Sequence, residues 1–242
     1  MGTPIGTVAI LAALPQELAA IHDSFQLDAA ADLRPLEGHR FVHRGLEVVA
    51  VRVGVGKVNA AMATQRVIDA VAPAVLINIG VAGGLDTDRL SIGDVVVARD
   101  CGQHDLDARP LGFALGEVPY TGIRYVAADP ALVSVASGTR LASHRVHVGR
   151  VLSGDQFIRR ATPERAAEMR AMAGLAVEME GAAVGYVAAS HGIPFAVVRT
   201  ISDYADGSAS VDFERFLASA GGNSLAVCRA ILDHLAGTVG AA

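Results

Sequence analysis

Ala74-Val75-Leu76-Ile77-Asn78-Ile79 runs straight into Gly80-Val81-Ala82-Gly83-Gly84. The first six residues predict a strand of the kind buried on both faces, as parallel strands are. The glycines after it predict a loop at its carboxyl end. Just upstream, Lys57 to Val71 has the spacing of a helix, with Ala60, Ala61, Ala63, Val67, Ile68 and Val71 on one side. Pro73 ends it, because proline cannot continue the hydrogen-bond ladder. A helix followed at once by a doubly buried strand is the unit from which an α/β sheet is built.

The same alternation extends both ways. Gly6 to Leu14 predicts a buried first strand. Pro15 then suits the first turn of a helix carrying Leu18, Ile21 and Phe25. His39 to Val42 and Leu46 to Val53 predict a hairpin around His43-Arg44-Gly45. Further on, strands are expected at Asp94 to Ala98, Val146 to Leu152, Leu175 to Val177 and Phe195 to Ile201. Helices are expected at Ala128 to Ser137, from the Thr162-Pro163 cap through Ala173, at Glu180 to Ser190, and over Val211 to Leu235 with a break at Gly221-Gly222. This order predicts an α/β fold: one domain over residues 1–242, with three α/β/α layers around a mixed, mainly parallel sheet.

Bulk properties narrow the function. The chain has 242 residues, 52% hydrophobic and 19% charged, with a net charge of −5 and no basic stripe. That argues against a nucleic-acid partner. Gly181 to Val198 is free of charged residues, but Ser190, His191, Gly192 and Pro194 place a turn inside it, so no membrane span is expected. Val8 to Leu14 lacks a preceding Lys or Arg and reads as a strand, not a leader. Cys101 and Cys228 have no C-x-x-C partner and read as buried, reduced thiols of a cytoplasmic protein.

Several motifs have two readings. Gly54-Val55-Gly56-Lys57 has Val51 and Val58 where a P-loop needs glycine and Ser or Thr, and Gly80 to Gly84 lacks dinucleotide-binding spacing. Both remain either tight turns or places where backbone approaches a ligand. Asp203 closes the strand from Phe195, where a buried carboxyl group tends to hold its proton; it is a candidate general acid or a capping aspartate. Glu178-Met179-Glu180 joins a strand to a helix, with alternation expected to point only one carboxylate inward. The bland reading of this pair, and of Glu17 after the first strand, is a helix-start charge. His104-Asp105-Leu106-Asp107 has metal-ligand residue types without a second cluster, so no metal is expected. No nucleophile elbow is present.

Together these segments resemble 5′-methylthioadenosine/S-adenosylhomocysteine nucleosidase, within the nucleoside phosphorylase superfamily. The resemblance rests on Ala13 to Glu17, Gly54 to Lys57, Asn78 to Leu85, Ser153 to Ile158, and Val177 to Glu180 with Arg199 to Asp206, in that order; His104 to Asp107 with Gly112 also fits. It implies a phosphorylase/hydrolase-like fold, no cofactor, and hydrolysis of a purine N-glycosidic bond. By resemblance, Asp203 protonates the purine at N7 and Glu17 activates water. Glu180 holds the ribose hydroxyls, Met179 packs on the sugar, Phe157 stacks on the base and Ile158 backbone bonds its edge. Val55, Phe113, Pro119 and Phe213 match positions around the 5′-substituent, and Val81, Glu178, Arg199 and Ser202 complete the expected site. Phe113 is implied to come from the partner subunit of a homodimer. Glu17, expected nearer solvent, suits the base; Asp203, after an apolar strand, suits the acid.

One departure stands out: Val81 occupies a position where the family often carries Ser or Thr, a hydroxyl that sits where related phosphorylases bind phosphate. A phosphate-dependent phosphorylase with Arg52 and Arg199 as anion donors, a nucleosidase for another adenosine derivative such as aminofutalosine, and a non-catalytic binding relative are the alternatives.

Overall fold

Strand β1 (Val8–Ala12) is buried along its whole length. In the computed structural model, which describes residues 6–25, 29–204 and 213–240, it lies parallel between β4 (Leu46–Arg52) and β5 (Val75–Gly84). Successive side chains of a strand point to opposite faces, so a central strand covered on both sides must be apolar throughout. Ala9 and Leu11 enter one core, closed by α2 (Lys57–Val71) and α5 (Gly181–Ser190). Val8, Ile10 and Ala12 enter the other, closed by α1 (Pro15–Ser24), α3 (Pro130–Ser137) and α6 (Phe213–Gly240). These are the three expected layers.

Beyond β4 the sheet continues through β3 (Gly38–His43) to β2 (Ala29–Ala30), both antiparallel. On its other side it closes on itself. β5 pairs in parallel with β10 (Phe195–Tyr204), which pairs antiparallel with β6 (Val95–Gln103). β6 runs parallel to β8 (Val146–Ser153), β8 parallel to β9 (Gly174–Glu178), and β9 returns antiparallel to β5. A short β7 (Tyr125–Ala127) adds to β6, and α4 (Pro163–Ala171), capped by Thr162 as expected, precedes β9. The sheet is mixed, and its two longest ladders, β5–β10 and β6–β8, are parallel.

Four expectations change. Gly80 to Gly84 is the second half of β5, not a loop, because β10 pairs with it along its length and β9 pairs with Gly83 and Gly84. β6 and β10 run past Ala98 and Ile201 for the same reason: neighbouring strands supply hydrogen bonds where the local sequence turns polar. Helix α6 passes through Gly221-Gly222 without a break. Leu225, Cys228, Ile231, Leu232 and Leu235 bury one stripe against the sheet, and this packing outweighs the weak helix preference of glycine. The short β2, β7 and a 3-10 turn at Arg109–Leu111 carry no strong local signal. Cys101 and Cys228 are buried and unpaired, as expected.

Candidate active site

The site follows from how β5 changes partners. Val75 to Ile79 pair with β1 along one edge; Gly83 and Gly84 pair with β9 along that same side of the sheet. Between the two pairings a gap opens at Val81, outside the carboxyl end of β1, which is where ligands lie in open α/β sheets. Glu17 fills the back of this gap. It sits in the first turn of α1, which Pro15 begins, and reaches back across the helix start. Its Oε2 accepts the N–H groups of Ala13 and Leu14, both at 2.9 Å, and its Oε1 accepts Val81 N–H at 3.2 Å. One carboxylate therefore both accepts donors at the helix start and lines the cavity.

Gly80 makes the approach possible: a Cβ there would lie 2.7 Å from Glu17 Oε1. Glu17 is buried, contrary to the expectation that it lies nearer solvent. Burial raises its pKa above the ordinary 4.5; the Leu14 N–H, the Arg199 charge and the other backbone bonds offset this only in part.

The second group comes from the end of β9. Alternation is expected to point only one of the pair inward, but the strand ends at Glu178 and the chain turns into α5 at Glu180, so both line the cavity. Their roles differ by their partners. Glu178 Oε2 accepts Arg199 Nε at 3.1 Å and Nη2 at 2.5 Å, and the N–H groups of Glu180 and Gly181 at 3.0 and 2.7 Å. Its other oxygen takes the hydroxyl of Ser153. Glu178 is thus saturated. Glu180 instead accepts one bond, from Gly56 N–H at 2.8 Å, and its pKa is pushed up to about 7 by burial and by the neighbouring Glu178 charge. Gly56 has φ of 90°, a backbone region that favours glycine, which turns this N–H toward Glu180.

Asp203 is the third carboxylate. The β10–β5 register shifts between Ile201 and Asp203, so Ser202 is the extra residue of a bulge. A bulge bends its strand and re-aims the following side chain, and here Asp203 joins the cavity wall. Ser202 Oγ donates to Asp203 Oδ2 at 2.8 Å. Asp203 closes the strand as expected, one residue before its end, because the ladder with β5 runs on to Tyr204.

The cavity holds about 320 Å³ and its wall is mainly apolar. Val81, Ala82 and Gly83 form its floor; Met179 and Val177 one side; Gln156, Phe157, Ile158 and Val55 its mouth. Phe157 is 61% exposed and Val55 44%. An exposed aromatic at the mouth of an apolar cleft is a ready stacking surface.

Not every expected residue is on the wall. Arg199 lies behind Glu178, also donating to the carbonyl of Asn78 at 3.3 Å and to its side-chain oxygen. Phe113 packs edge-on against Tyr120, ring centroids 5.2 Å apart, and neither it nor Pro119 lines this chain's cavity. Phe213 begins α6, but its side chain lies outside the described residues. The acids of His104 to Asp107 diverge: Asp105 pairs with Lys57 at 2.6 Å and Asp107 with Arg109 at 2.6 Å. Sequence reasoning assigned no role to Ser153, Asn78 and Gln156. The first two are buried polar residues in the strands beside the gap, and a buried polar residue in an apolar strand was the available signal.

Likeness to known proteins defines the family. The phosphorylase superfamily matches residues 7–233. The chain is 31% identical to the 5′-methylthioadenosine/S-adenosylhomocysteine nucleosidase of Staphylococcus haemolyticus, over 94% of this chain and all of that one. Among solved structures it is similar to the nucleosidase of Neisseria meningitidis in complex with methylthio-immucillin-A, with TM-score 0.85, 33% identity, and coverage of 94% of this chain and 98% of that one. It is also similar to futalosine hydrolase of Helicobacter pylori, with TM-score 0.86, 30% identity, and coverage of 95% and 98%. The chain belongs to the 5′-methylthioadenosine/S-adenosylhomocysteine nucleosidase family of the phosphorylase superfamily.

Proposed function

We propose that this chain, as one domain, hydrolyses the N-glycosidic bond of 5′-methylthioadenosine, S-adenosylhomocysteine or both, releasing adenine and the thioribose product. The observation that carries this reading is the convergence of Glu17 from the start of α1, Glu180 from the start of α5 and Asp203 from the end of β10 on one apolar cavity. Asp203 donates a proton to the purine N7 as the C1′–N9 bond breaks. Glu17 takes a proton from the water that bonds to C1′. A base whose pKa is raised by burial is better matched to neutral pH than an ordinary glutamate. Glu180 accepts from the ribose hydroxyls, Met179 packs on the sugar, and Phe157 stacks on the base beside Ile158.

Water, not phosphate, is the nucleophile. Of the two arginines available to an anion, Arg199 is committed to Glu178 and Asn78, and Arg52 pairs with Glu37 at 2.8 Å, off the cavity wall. Val81 brings no hydroxyl to the floor. A homodimer is part of the reading: Phe113 and Pro119 would complete the 5′-pocket of the partner. Val58 and Met62, exposed one turn apart on α2 behind Val55, would lie in the interface. No described helix is long and apolar enough to cross a membrane, and the cytoplasm is the compartment in which such a nucleoside and two free thiols fit.

The test is adenine release from 5′-methylthioadenosine in phosphate-free buffer and again with phosphate. Equal release with free methylthioribose in both supports hydrolysis; release that requires phosphate makes the chain a phosphorylase. A second reading, a nucleosidase for a larger 5′-substituent as in aminofutalosine, is favoured by the likeness to futalosine hydrolase. Competition between the two nucleosides for one active site separates them.

A further inference from the structure

Two of the cavity's walls are loops. One is Gly54 to Lys57, which carries Val55 to the wall and Gly56 N–H to Glu180. The other is Asp155 to Ile158, which carries Gln156, Phe157 and Ile158. Gly54 and Gly56 have φ of 81° and 90°; Ile158 packs against the cluster of Leu152, Met169, Met172 and Val177, while the tips at Val55 and Phe157 are 44% and 61% exposed.

A polar network beside the mouth ties them together. Lys57 Nζ donates to Asp105 Oδ1 at 2.6 Å and to Gln103 Oε1 at 3.0 Å, and lies 3.8 Å from Asp155 Oδ2. Lys57 N–H, at the start of α2, donates to Asp155 Oδ1 at 2.8 Å. Asp155 N–H in turn donates to Asp105 Oδ2 at 2.8 Å. One lysine thus bonds the end of β6, and through Asp105 and Asp155 both loops close on each other. Lys57 and Asp105 side chains are each only 16% exposed, so the pair is far less screened than a surface bridge. None of these side chains lines the cavity.

We propose that Lys57, with Asp105 and Asp155, is a positioning latch that holds the sugar-side loop and the base-side loop at the spacing a nucleoside needs. It acts through Gly56 and Phe157, not on the reacting atoms, and this inference rests on the nucleosidase reading of the cavity. Loss of the latch removes pre-organised ground-state binding, while Glu17 stays anchored by the Ala13, Leu14 and Val81 N–H groups and Asp203 keeps its bond from Ser202.

The experiment compares the wild type with Lys57→Met and Asp105→Asn. Each variant is expected to raise KM for 5′-methylthioadenosine about tenfold or more, with kcat within about threefold. Amide exchange of residues 155–158 should speed up about tenfold, with residues 60–71 of α2 unchanged. The second measurement keeps misfolding apart from unlatching, because a misfolded variant loses protection in α2 as well. KM within threefold of the wild type, or a fall in kcat at constant KM, overturns the latch. If the wild type releases no adenine, the nucleosidase reading fails; the latch is then judged on exchange alone, with faster exchange at 155–158 supporting it and unchanged exchange overturning it.

Discussion

Replacing Glu17 by Gln tests the centre of the mechanism with almost no change of shape. Three N–H donors converge on this carboxylate, from Ala13, Leu14 and Val81. An amide has one acceptor oxygen. If that oxygen takes the Ala13 and Leu14 donors, the NH₂ group meets Val81 N–H, 3.2 Å from the position of Oε1, donor against donor. Losing one buried acceptor costs about 1–3 kcal/mol. Opposing this, the substitution removes a carboxylate that burial already disfavours as an anion. The net loss of stability should therefore sit at the low end, about 1 kcal/mol, a fall in Tm of about 2–4 °C for a chain of this size.

The effect on rate is of a different order. A positioned general base contributes about 10²- to 10⁴-fold, or roughly 3–5 kcal/mol of barrier. Adenine release from 5′-methylthioadenosine, followed at saturating substrate, should show kcat reduced by that factor, with the variant folded at the assay temperature. A kcat within threefold of the wild type would refute the role of Glu17 as base, whatever the change in Tm.

Three further outcomes follow from the same geometry. Gly80→Ala places a Cβ 2.7 Å from Glu17 Oε1, and because Oε2 is pinned by two N–H groups the carboxylate cannot simply swing away. A displacement of this size should cost about 10- to 100-fold in kcat; an unchanged kcat would show that Glu17 has room the packing denies. Asp203→Asn should lower kcat about 10²- to 10⁴-fold with KM little changed, and substrates whose leaving group needs no protonation should be spared; equal loss on such substrates contradicts the acid role. Glu180 holds its proton to about pH 7 in the folded chain against an ordinary 4.5. The native state therefore binds more protons than the unfolded state between these values, so the stability contributed here is fully present below pH 4.5 and is lost as pH rises through 7. Urea unfolding should show the wild type losing about 1–3 kcal/mol relative to Glu180→Gln across that window; parallel pH profiles would contradict it.

How much of this the sequence revealed depended on whether local pattern or distant pairing decides the conformation. The helix Lys57–Val71 agrees at both ends, because its apolar spacing and the proline after it are local facts. Gly80 to Gly84 misled, because glycine signals a turn unless two neighbours pair with it, and those neighbours, β9 and β10, come about a hundred residues later. The carboxylates were visible as chemistry but not as partners. No local rule distinguishes Glu178, consumed by Arg199, from Glu180 two residues on, held by a single N–H from a loop 124 positions away. Ser202 was expected at the site; that it is a bulge residue depends on the register of β5.

The closure of the sheet explains why three of the four acids on the cavity wall, Glu17, Glu178 and Glu180, are held by such different partners. An isolated buried carboxylate is costly as an anion, and three near one another would all tend to protonate. The seam between β1 and β9 avoids this by giving each a different set of donors. Backbone N–H groups from the β1 end and from β5 favour the charged form of Glu17 against its burial. Arg199, deep beneath the floor, neutralises Glu178 and lends its field to both Glu17 and Glu180. Glu180, with one N–H and a charged neighbour, is held well above the usual carboxylate range, at about 7. The buried Glu178–Arg199 pair therefore reads as a scaffold for the acids around it, more than as a source of stability. Removing either member should strand the other charge and disturb the protonation of the remaining acids together.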